Sequence, residues 1–350
     1  MIPGPSGIVF SSDYLPNDGG IARLCAQIAG GLRLRAVDCR VIAPRGRGTP
    51  PENCEALVET RISPRRVIRE WQSYHLLRRR AANGPVICGL WYPDGLIAAS
   101  SGVRPLVVLA HGAELMPAPA WRRATWKRIC RQVCETADLV VANSSYTREL
   151  VLRIAPSARA AALPPGVDHR RFSPGDKQAA KERFGAAGKV VLSSVSRLHA
   201  FKGHETILRA LAGLPARRKD RFLYLVAGTG PHGGELQRLA AELGLAGRVR
   251  FLGFVPEDDL PDLYRASDLF VLCTRESAAR QEVEGFGLVF LEAQACGVPV
   301  VGARTGGIPD AVREGEGGQL IAQDDANALA AILEELAECP ERFQAAGRAA

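Results

Sequence analysis

The sequence of 350 residues lacks the features that mark membrane-spanning, secreted and repeat proteins. It contains no apolar run of about 18 residues, which excludes a transmembrane helix. Its first residues, MIPGPSGIVFSS, carry no basic segment before an apolar one and lead directly into a strand pattern, so no signal peptide is expected. No tandem repeat and no low-complexity tract occurs. With 47% hydrophobic residues, the chain can bury full cores.

Recognisable metal-binding and disulfide patterns are also missing. The nine cysteines are odd in number, scattered, and never arranged as a CxxC pair. Cys130 and Cys134 stand four residues apart without a histidine motif, which favours reduced structural thiols in a cytosolic protein over zinc ligands. There is no Asp-x-Asp pair and no His/Asp cluster with metal-ligand spacing, so neither a metal nor a cofactor is predicted.

The length of the chain predicts two domains of about 170 residues each. Apolar strand patterns alternate with helix patterns in both halves, which is typical of parallel sheets with right-handed crossovers. The division falls near LPPGVDHRRFSPGD, which gives domains at 1–168 and 169–350. We therefore predict an α/β fold of two Rossmann-like domains facing each other across a cleft, with ligands at the carboxyl ends of the strands.

The segment EGFGLVFLE is the most informative stretch, because Glu284 and Glu292 bracket a glycine turn and a short helix. Small residues at Gly285 and Gly287 expose backbone N–H groups at the start of the helix, which suits an anion. The second carboxylate lies about two turns further along. One acid can then contact a sugar hydroxyl while the other reaches a ribose. A solvated pair of acids on an amphipathic helix is the competing interpretation.

A second anion-binding pattern lies upstream, in VVLSSVSRLHAFKG. A buried strand is predicted from Val190 to Ser194. Arg197 follows its end, and Lys202 precedes a helix that opens at Gly203. Two fixed cations at the positive end of a helix form a cradle for a diphosphate. Taken alone, the two cations would more simply be a solvated loop pair.

Three more strand patterns follow in order: FLYLVAGTG (222–230), RVRFLGFV (248–255) and DLFVLCT (268–274). A single Gly-x-Gly is a weak signal because it also marks ordinary turns. The ordered combination is specific, and with EGFGLVFLEAQACGVPVV and RTGGIPDAV it resembles the donor-binding domain of the retaining nucleotide-sugar glycosyltransferases of family 4, which have the GT-B fold. YLPNDGGIA, AHGAE, ANSSYT and LPPGVDHRRFSP extend the resemblance over nearly the whole chain.

Within that family the sequence is most similar to the phosphatidyl-myo-inositol mannosyltransferase B branch. There too a longer basic loop, here CTRESAARQEVEGFG (273–287), stands in place of a short Pro-Ser turn. The resemblance implies a nucleoside diphosphate sugar as donor, with GDP-mannose favoured and UDP-glucose next. The implied acceptor is a lipid-linked sugar, a phospholipid head group or a growing polysaccharide.

The resemblance also implies roles for the donor-side residues. Arg197 and Lys202, with helix-end amides near Gly287 and Leu288, would stabilise charge on the departing β-phosphate in place of a metal. Phe286 belongs to the same turn. The implied reaction is metal-independent transfer of a hexose with retention, in which no carboxylate acts as nucleophile.

Four other residues would contact the rest of the donor. Glu284 would hold hydroxyls of the transferred sugar, and Glu292 the ribose hydroxyls. The base would lie near Phe254, with backbone contacts around Val255. Arg197, Lys202 and Glu284 are therefore candidate catalytic residues.

On the N-terminal side, Gly19 and Gly20 precede a helix, and glycines there let the backbone approach a diphosphate closely. His111 ends the strand PLVVLA, where a structural role is the usual one. The resemblance instead implies that His111 contacts the transferred sugar and is catalytic, with Glu114 and Asn143 as nearby candidates. Asp13 matches an acid of the same branch without a definite role.

The charge is uneven. Residues 1–170 contain 23 Lys/Arg and 13 Asp/Glu, a net +10, whereas residues 171–350 contain 22 and 24, a net −2, which together give +8. The excess lies in 61–80 and in AWRRATWKRICRQV (120–133). A basic amphipathic helix with tryptophan fits the surface of an anionic membrane, which would make the enzyme peripheral at the inner face, but an ordinary solvated helix fits equally. Nucleic acid is not expected as a partner, because no binding motif occurs.

Two alternatives to a transferase remain at this stage. A sugar-nucleotide 2-epimerase shares the two-domain fold, although the Glu-x7-Glu pattern disfavours it. The other is an inactive, truncated glycosyltransferase-like subunit. The sequence ends at ERFQAAGRAA, where the resembling family continues into a helix that crosses back to the N-terminal domain. Without that helix we expect looser domain closure.

Overall fold

A computed structural model describes residues 6–14, 20–44, 58–80, 84–116 and 123–349. The chain divides into two compact units, Met1–Pro165 and Gly166–Ala350. Each unit contains one parallel sheet with helices, so the predicted α/β fold class is confirmed.

The first unit contains a seven-stranded sheet in the order β3-β2-β1-β4-β5-β6-β7. All neighbouring strands in it pair in parallel. The sequence order reverses direction between β1 and β4, so a crevice opens there at the carboxyl ends. The strands are β1 (Ser6–Phe10), β2 (Asp38–Pro44), β3 (Val58–Ile62), β4 (Val86–Cys88), β5 (Leu106–Ala110), β6 (Leu139–Ala142) and β7 (Ala160–Ala162).

Helices cover both faces of this sheet because its strands are apolar on both sides. In β1, Ile8 and Phe10 pack into one cluster while Val9 packs into the other, as the period of two requires. The helices are α1 (Gly20–Leu34), α2 (Arg66–Arg80), α3 (Leu96–Ser101), α4 (Arg123–Thr136) and α5 (Ser145–Ile154).

The second unit contains a six-stranded parallel sheet in the order β10-β9-β8-β11-β12-β13. Its switch point lies between β8 and β11, the strands that precede the predicted diphosphate loop and the Glu-x7-Glu segment. The strands are β8 (Val190–Val195), β9 (Phe222–Ala227), β10 (Val249–Gly253), β11 (Leu269–Leu272), β12 (Val300–Ala303) and β13 (Gly318–Ile321).

Two apolar clusters again enclose the sheet, with Leu192 in one and Val191 in the other. The helix after Gly203 packs an apolar face against the sheet, since Ile207, Leu208 and Leu211 are buried. The helices are α6 (Lys177–Arg183), α7 (His204–Gly213), α8 (Ala216–Lys219), α9 (Gly233–Glu242), α10 (Leu260–Arg265), α11 (Leu288–Ala295), α12 (Ile308–Ala311), α13 (Ala326–Glu338) and α14 (Pro340–Ala349).

Strand β7 has no apolar strand pattern in its sequence. The segment Ala160–Ala162 consists of alanine, which has low strand propensity, and pairing with β6 alone makes it a strand. Within the described ranges, no helix combines the length and the apolar character that crossing a membrane requires.

Candidate active site

The donor-side motifs of the second unit all follow strand ends. The Arg197–Lys202 loop follows β8, the Gly-x-Gly turn follows β9, and the Glu284 segment follows β11. Because β9, β8 and β11 are adjacent and parallel, these loops meet at one edge of the sheet.

An ion pair joins the two predicted halves of this site. The ammonium Nζ of Lys202 lies 2.6 Å from the carboxylate Oε2 of Glu284. Their side chains are only 14% and 18% exposed, so the pair is shielded from solvent. Lys202 occupies the short 3-10 turn Ala200–Lys202, directly before α7. A cation and a sugar-binding acid that the sequence predicts separately therefore contact each other.

Gly203 has no room for a side chain. Its φ of +71° is left-handed, and a Cβ there would lie 1.8 Å from the carbonyl oxygen of Cys273, at the end of β11. Only glycine tolerates both conditions. This close approach brings the Lys202 turn against the loop that carries Glu284.

Arg275 also fixes the Lys202 turn, although the sequence did not identify it. Its backbone N–H donates to the carbonyl of Phe201 at 2.6 Å, and its guanidinium donates to the carbonyl of Ala200 at 3.3 Å. The guanidinium also pairs with Glu205 at 2.6 Å and with Asp324. Its position in the 273–287 loop was the only signal in the sequence. Arg275 is a positioning residue, because it contacts the turn that holds Lys202.

Replacing Arg275 with glutamine should lower kcat/KM by roughly 10- to 100-fold, because small misplacements of a catalytic group have effects of this size. Steady-state kinetics with the nucleotide sugar measure the effect. Arg280→Gln is the matched control, since Arg280 is an exposed arginine of the same loop. Equal activity in both variants would contradict the positioning role.

Arg197 is exposed at the mouth of the same loop, and its guanidinium forms no ion pair with any of the described residues. Two glycines approach the backbone of its loop closely. A Cβ at Gly228 would lie 1.8 Å from the carbonyl of Ser196, and one at Gly230 would lie 2.4 Å from that of Leu198. The Gly-x-Gly turn therefore packs closely against the backbone of the Arg197 loop.

His204 supports this loop from inside the protein. Its Nε2 lies 2.9 Å from the Ser196 hydroxyl and its Nδ1 lies 2.8 Å from the buried Tyr224 hydroxyl. Burial, followed by the nearby positive charge of Lys202, lowers the pKa of His204 to about 3. The imidazole is therefore neutral at physiological pH and adds no charge to the site.

The Glu284 segment is braced by the loop after β12. The amide of Gly307 donates to the Glu284 carbonyl at 2.9 Å, and a Cβ at Gly306 would lie 2.3 Å from that oxygen. Helix α11 begins at Leu288, after Gly287 in a left-handed conformation with φ +94°. The ring of Phe286 is in the core, so only its backbone remains available to a ligand.

Glu292 lies on α11 and accepts a hydrogen bond from the hydroxyl of Tyr264 at 2.6 Å. The tyrosine is fully buried, and burial, reinforced by the Glu292 carboxylate, raises its pKa well above the usual range. A protonated Tyr264 thus fixes the carboxylate orientation. No local pattern in the sequence indicates this partner, which lies 28 residues away. Phe254 is 65% exposed and Val255 half-buried, both directly after β10.

The predicted residues of the first unit also lie at strand ends. His111 follows β5, and its Nε2 lies 2.7 Å from the carbonyl of Gly89, which follows β4. Its backbone N–H donates to Glu114 at 2.6 Å, and Asn143 donates to its carbonyl at 3.1 Å. The three candidates therefore form one cluster. Gly20 begins α1 and has open space where a Cβ would lie, whereas Gly19 lies outside the described residues.

Asp94, which the sequence did not identify, orients the end of β1. Both of its carboxylate oxygens accept from the backbone N–H of Ser12 at 3.1 Å. The side chain is fully buried, and burial raises its pKa to about 7. This carboxyl group fixes the chain as it leaves the sheet toward α1.

The described residues of the basic helix α4 divide between the core and the solvent. Trp126 is partly buried against the core, with its ring 5.7 Å from that of the buried Trp91. Lys127, Arg128 and Arg131 of the same helix are exposed. The described part of this helix thus packs its tryptophan against the core and exposes its basic residues to solvent. Trp121 and Arg122 lie outside the described residues.

Solved structures share this fold. The Anabaena protein HepE, in complex with UDP and glucose, matches with a TM-score of 0.79 at 22% identity, over 98% of this chain and 93% of that one. WaaG, a glycosyltransferase involved in lipopolysaccharide biosynthesis, matches with a TM-score of 0.73 at 18% identity, over 97% and 94%. These likenesses show the GT-B fold.

Sequence relationships identify the family. The family described as Glycosyltransferase Family 4 matches residues 18–171, and that described as Glycosyl transferases group 1 matches residues 176–350. A GDP-mannose-dependent alpha-(1-6)-phosphatidylinositol monomannoside mannosyltransferase of Mycolicibacterium smegmatis is 33% identical over 97% of this chain and 91% of its own length. The D-inositol 3-phosphate glycosyltransferase 2 of Catenulispora acidiphila is 39% identical over 61% and 51%. The chain belongs to glycosyltransferase family 4, and it is a hexosyltransferase that uses a nucleotide sugar.

Proposed function

We propose that the protein is a retaining, metal-independent mannosyltransferase that transfers mannose from GDP-mannose to a lipid-linked acceptor at the inner face of an anionic membrane. The observation that carries the catalytic part is the Lys202–Glu284 pair at the carboxyl ends of the strands. The exposed Arg197 belongs to the same loop as Lys202, and α11 begins shortly after Glu284. The 33% identical relative, whose name specifies GDP-mannose and a phosphatidylinositol mannoside, supports the choice of donor and acceptor.

The geometry supports a separate role for each residue of the site. The donor diphosphate lies between Arg197, Lys202 and the first amides of α11, all of which carry positive charge or partial charge. Glu284 holds Lys202 in place before the donor binds, and its carboxylate accepts hydrogen bonds from hydroxyls of the transferred sugar. Charge that develops on the departing phosphate is then neutralised without reorganisation of the site. We also propose that His111 contacts the transferred sugar, as the family resemblance implies.

The nucleotide specificity has a direct test. GDP-mannose should raise the unfolding temperature more than UDP-glucose at equal concentration, because the ligand that binds the folded state more tightly stabilises it more. A ligand present at 100 times its Kd stabilises the folded state by about 2.7 kcal/mol. A thermal-shift panel of nucleotide sugars measures this, with Glu292→Ala as the variant that should weaken the response. A larger shift with UDP-glucose would assign a different donor. Conversion of the donor sugar in the absence of acceptor would instead indicate an epimerase.

Metal independence has its own test. Transfer activity should be unchanged in EDTA, because two side-chain cations already face the leaving group. The rate is compared before and after chelation and after addition of Mg²⁺ or Mn²⁺. A strict requirement for either ion would contradict the proposed site.

A further inference from the structure

Helix α2 presents large apolar side chains to solvent. Val67 is 79% exposed, Ile68 44% and Trp71 65%, and Tyr92 beside them is 41% exposed. We call these four residues the Trp71 patch. Positions 67, 68 and 71 share one helix face at spacings of three and four. Clustered exposed apolar side chains of this size mark an interaction surface.

Packing of the helix does not need these residues. The opposite face anchors α2, with Ser73 and Leu77 fully buried and Leu76 packed against the core. The hydroxyl of Ser73 is satisfied within the helix by the carbonyl of Arg69 at 2.8 Å. Helix α2 therefore has an apolar side that faces the core and a second one that faces outward.

Positive charge surrounds the Trp71 patch. Arg65 and Arg66 are exposed at one end, and Arg78 and Arg79 at the other. The single acid of the helix, Glu70, is paired with Arg66 at 3.0 Å. Arg66 also donates to the hydroxyl of Tyr92 and stacks on its ring at 5.8 Å. The surface thus combines apolar and aromatic side chains with a cationic rim.

We propose that the Trp71 patch docks the protein on an anionic lipid bilayer. Tryptophan and tyrosine favour the interfacial region, while arginines reach anionic head groups around them. A second copy of the chain is a poorer occupant, because a symmetric contact would place the arginine rims against each other. The described part of α4 offers charge without an exposed aromatic side chain.

This surface deepens the proposed function, since it would hold the first unit against the membrane that contains a lipid-linked acceptor. Only the closeness of the first unit to a lipid-linked acceptor rests on the proposed function. The docking itself is independent of the donor and is tested without it.

Co-sedimentation with vesicles of phosphatidylcholine and phosphatidylglycerol, compared with phosphatidylcholine alone, tests the docking. The wild-type protein should bind the anionic vesicles at low salt and lose binding as salt rises. The double variant Val67→Ser/Trp71→Ser should bind at least about tenfold more weakly, because the apolar contribution is removed. The control Leu34→Ser/Leu163→Ser alters exposed leucines elsewhere on the unit and should bind like wild type.

Charge variants separate the two basic helices. Arg78→Gln/Arg79→Gln should weaken vesicle binding, whereas Lys127→Gln/Arg128→Gln on α4 should have the smaller effect. The opposite ranking, no binding by the wild type, or equal binding by Val67→Ser/Trp71→Ser would overturn the proposal. A wild-type dimer that the same variant dissociates would overturn it in favour of a second copy.

Thermal shift with GDP-mannose distinguishes this proposal from the proposed function. Val67→Ser/Trp71→Ser should retain the full donor-induced shift, because the patch lies outside the donor site. Vesicle binding without any donor response would leave the surface in place and refute the donor assignment.

Discussion

Lys202→Ala should lower kcat/KM by roughly 30- to 1000-fold, which corresponds to about 2–4 kcal/mol of lost transition-state stabilisation. The ammonium group meets the diphosphate as its negative charge grows, so the loss should appear mainly in kcat. The variant also leaves the shielded Glu284 carboxylate without its partner at 2.6 Å, which adds to the disturbance.

Arg197→Ala should show a loss of the same kind. Its control is Arg209→Ala, an exposed arginine on α7 of the same unit. Circular dichroism and thermal unfolding must first show that each variant is folded. If folded Lys202→Ala and Arg197→Ala turned over donor at the wild-type kcat/KM, the diphosphate assignment would be wrong.

Replacing each of the two glutamates with alanine should change different kinetic parameters. Glu292→Ala should mainly raise the KM for the donor, since ribose contacts are similar in ground and transition states. Glu284→Ala should also lower kcat, because this residue orients both the reacting sugar and Lys202. Initial rates over a range of donor concentrations separate the two parameters.

Conservative variants sharpen this comparison. Tyr264→Phe removes only the hydroxyl that orients Glu292, so it should raise KM less than Glu292→Ala does. Glu284→Gln retains the shape of the side chain but not its attraction for Lys202, so it should still reduce kcat. A KM effect from Glu284 and a kcat effect from Glu292 would reverse the roles assigned here.

The two basic helices show where sequence patterns reach their limit. Both α2 and α4 contain arginines and tryptophan at helical spacing, and either fits a membrane surface by composition. In α4 the described tryptophan packs against the core, whereas in α2 Trp71 is 65% exposed. Which face of a helix is buried depends on the sheet beneath it, and that sheet is assembled from residues far away in the chain.

The sequence by itself determined the two parallel α/β units, the order of the donor motifs and most of their candidate residues. Strand periodicity, glycine turns and cations at helix starts are local properties, so they can be recognised without coordinates. Only the tertiary structure paired Lys202 with Glu284, 82 residues later, and placed Arg275 against the Lys202 turn and Tyr264 against Glu292. Those contacts depend on which strands become neighbours and how closely the loops at their ends approach, and no local pattern encodes that distance.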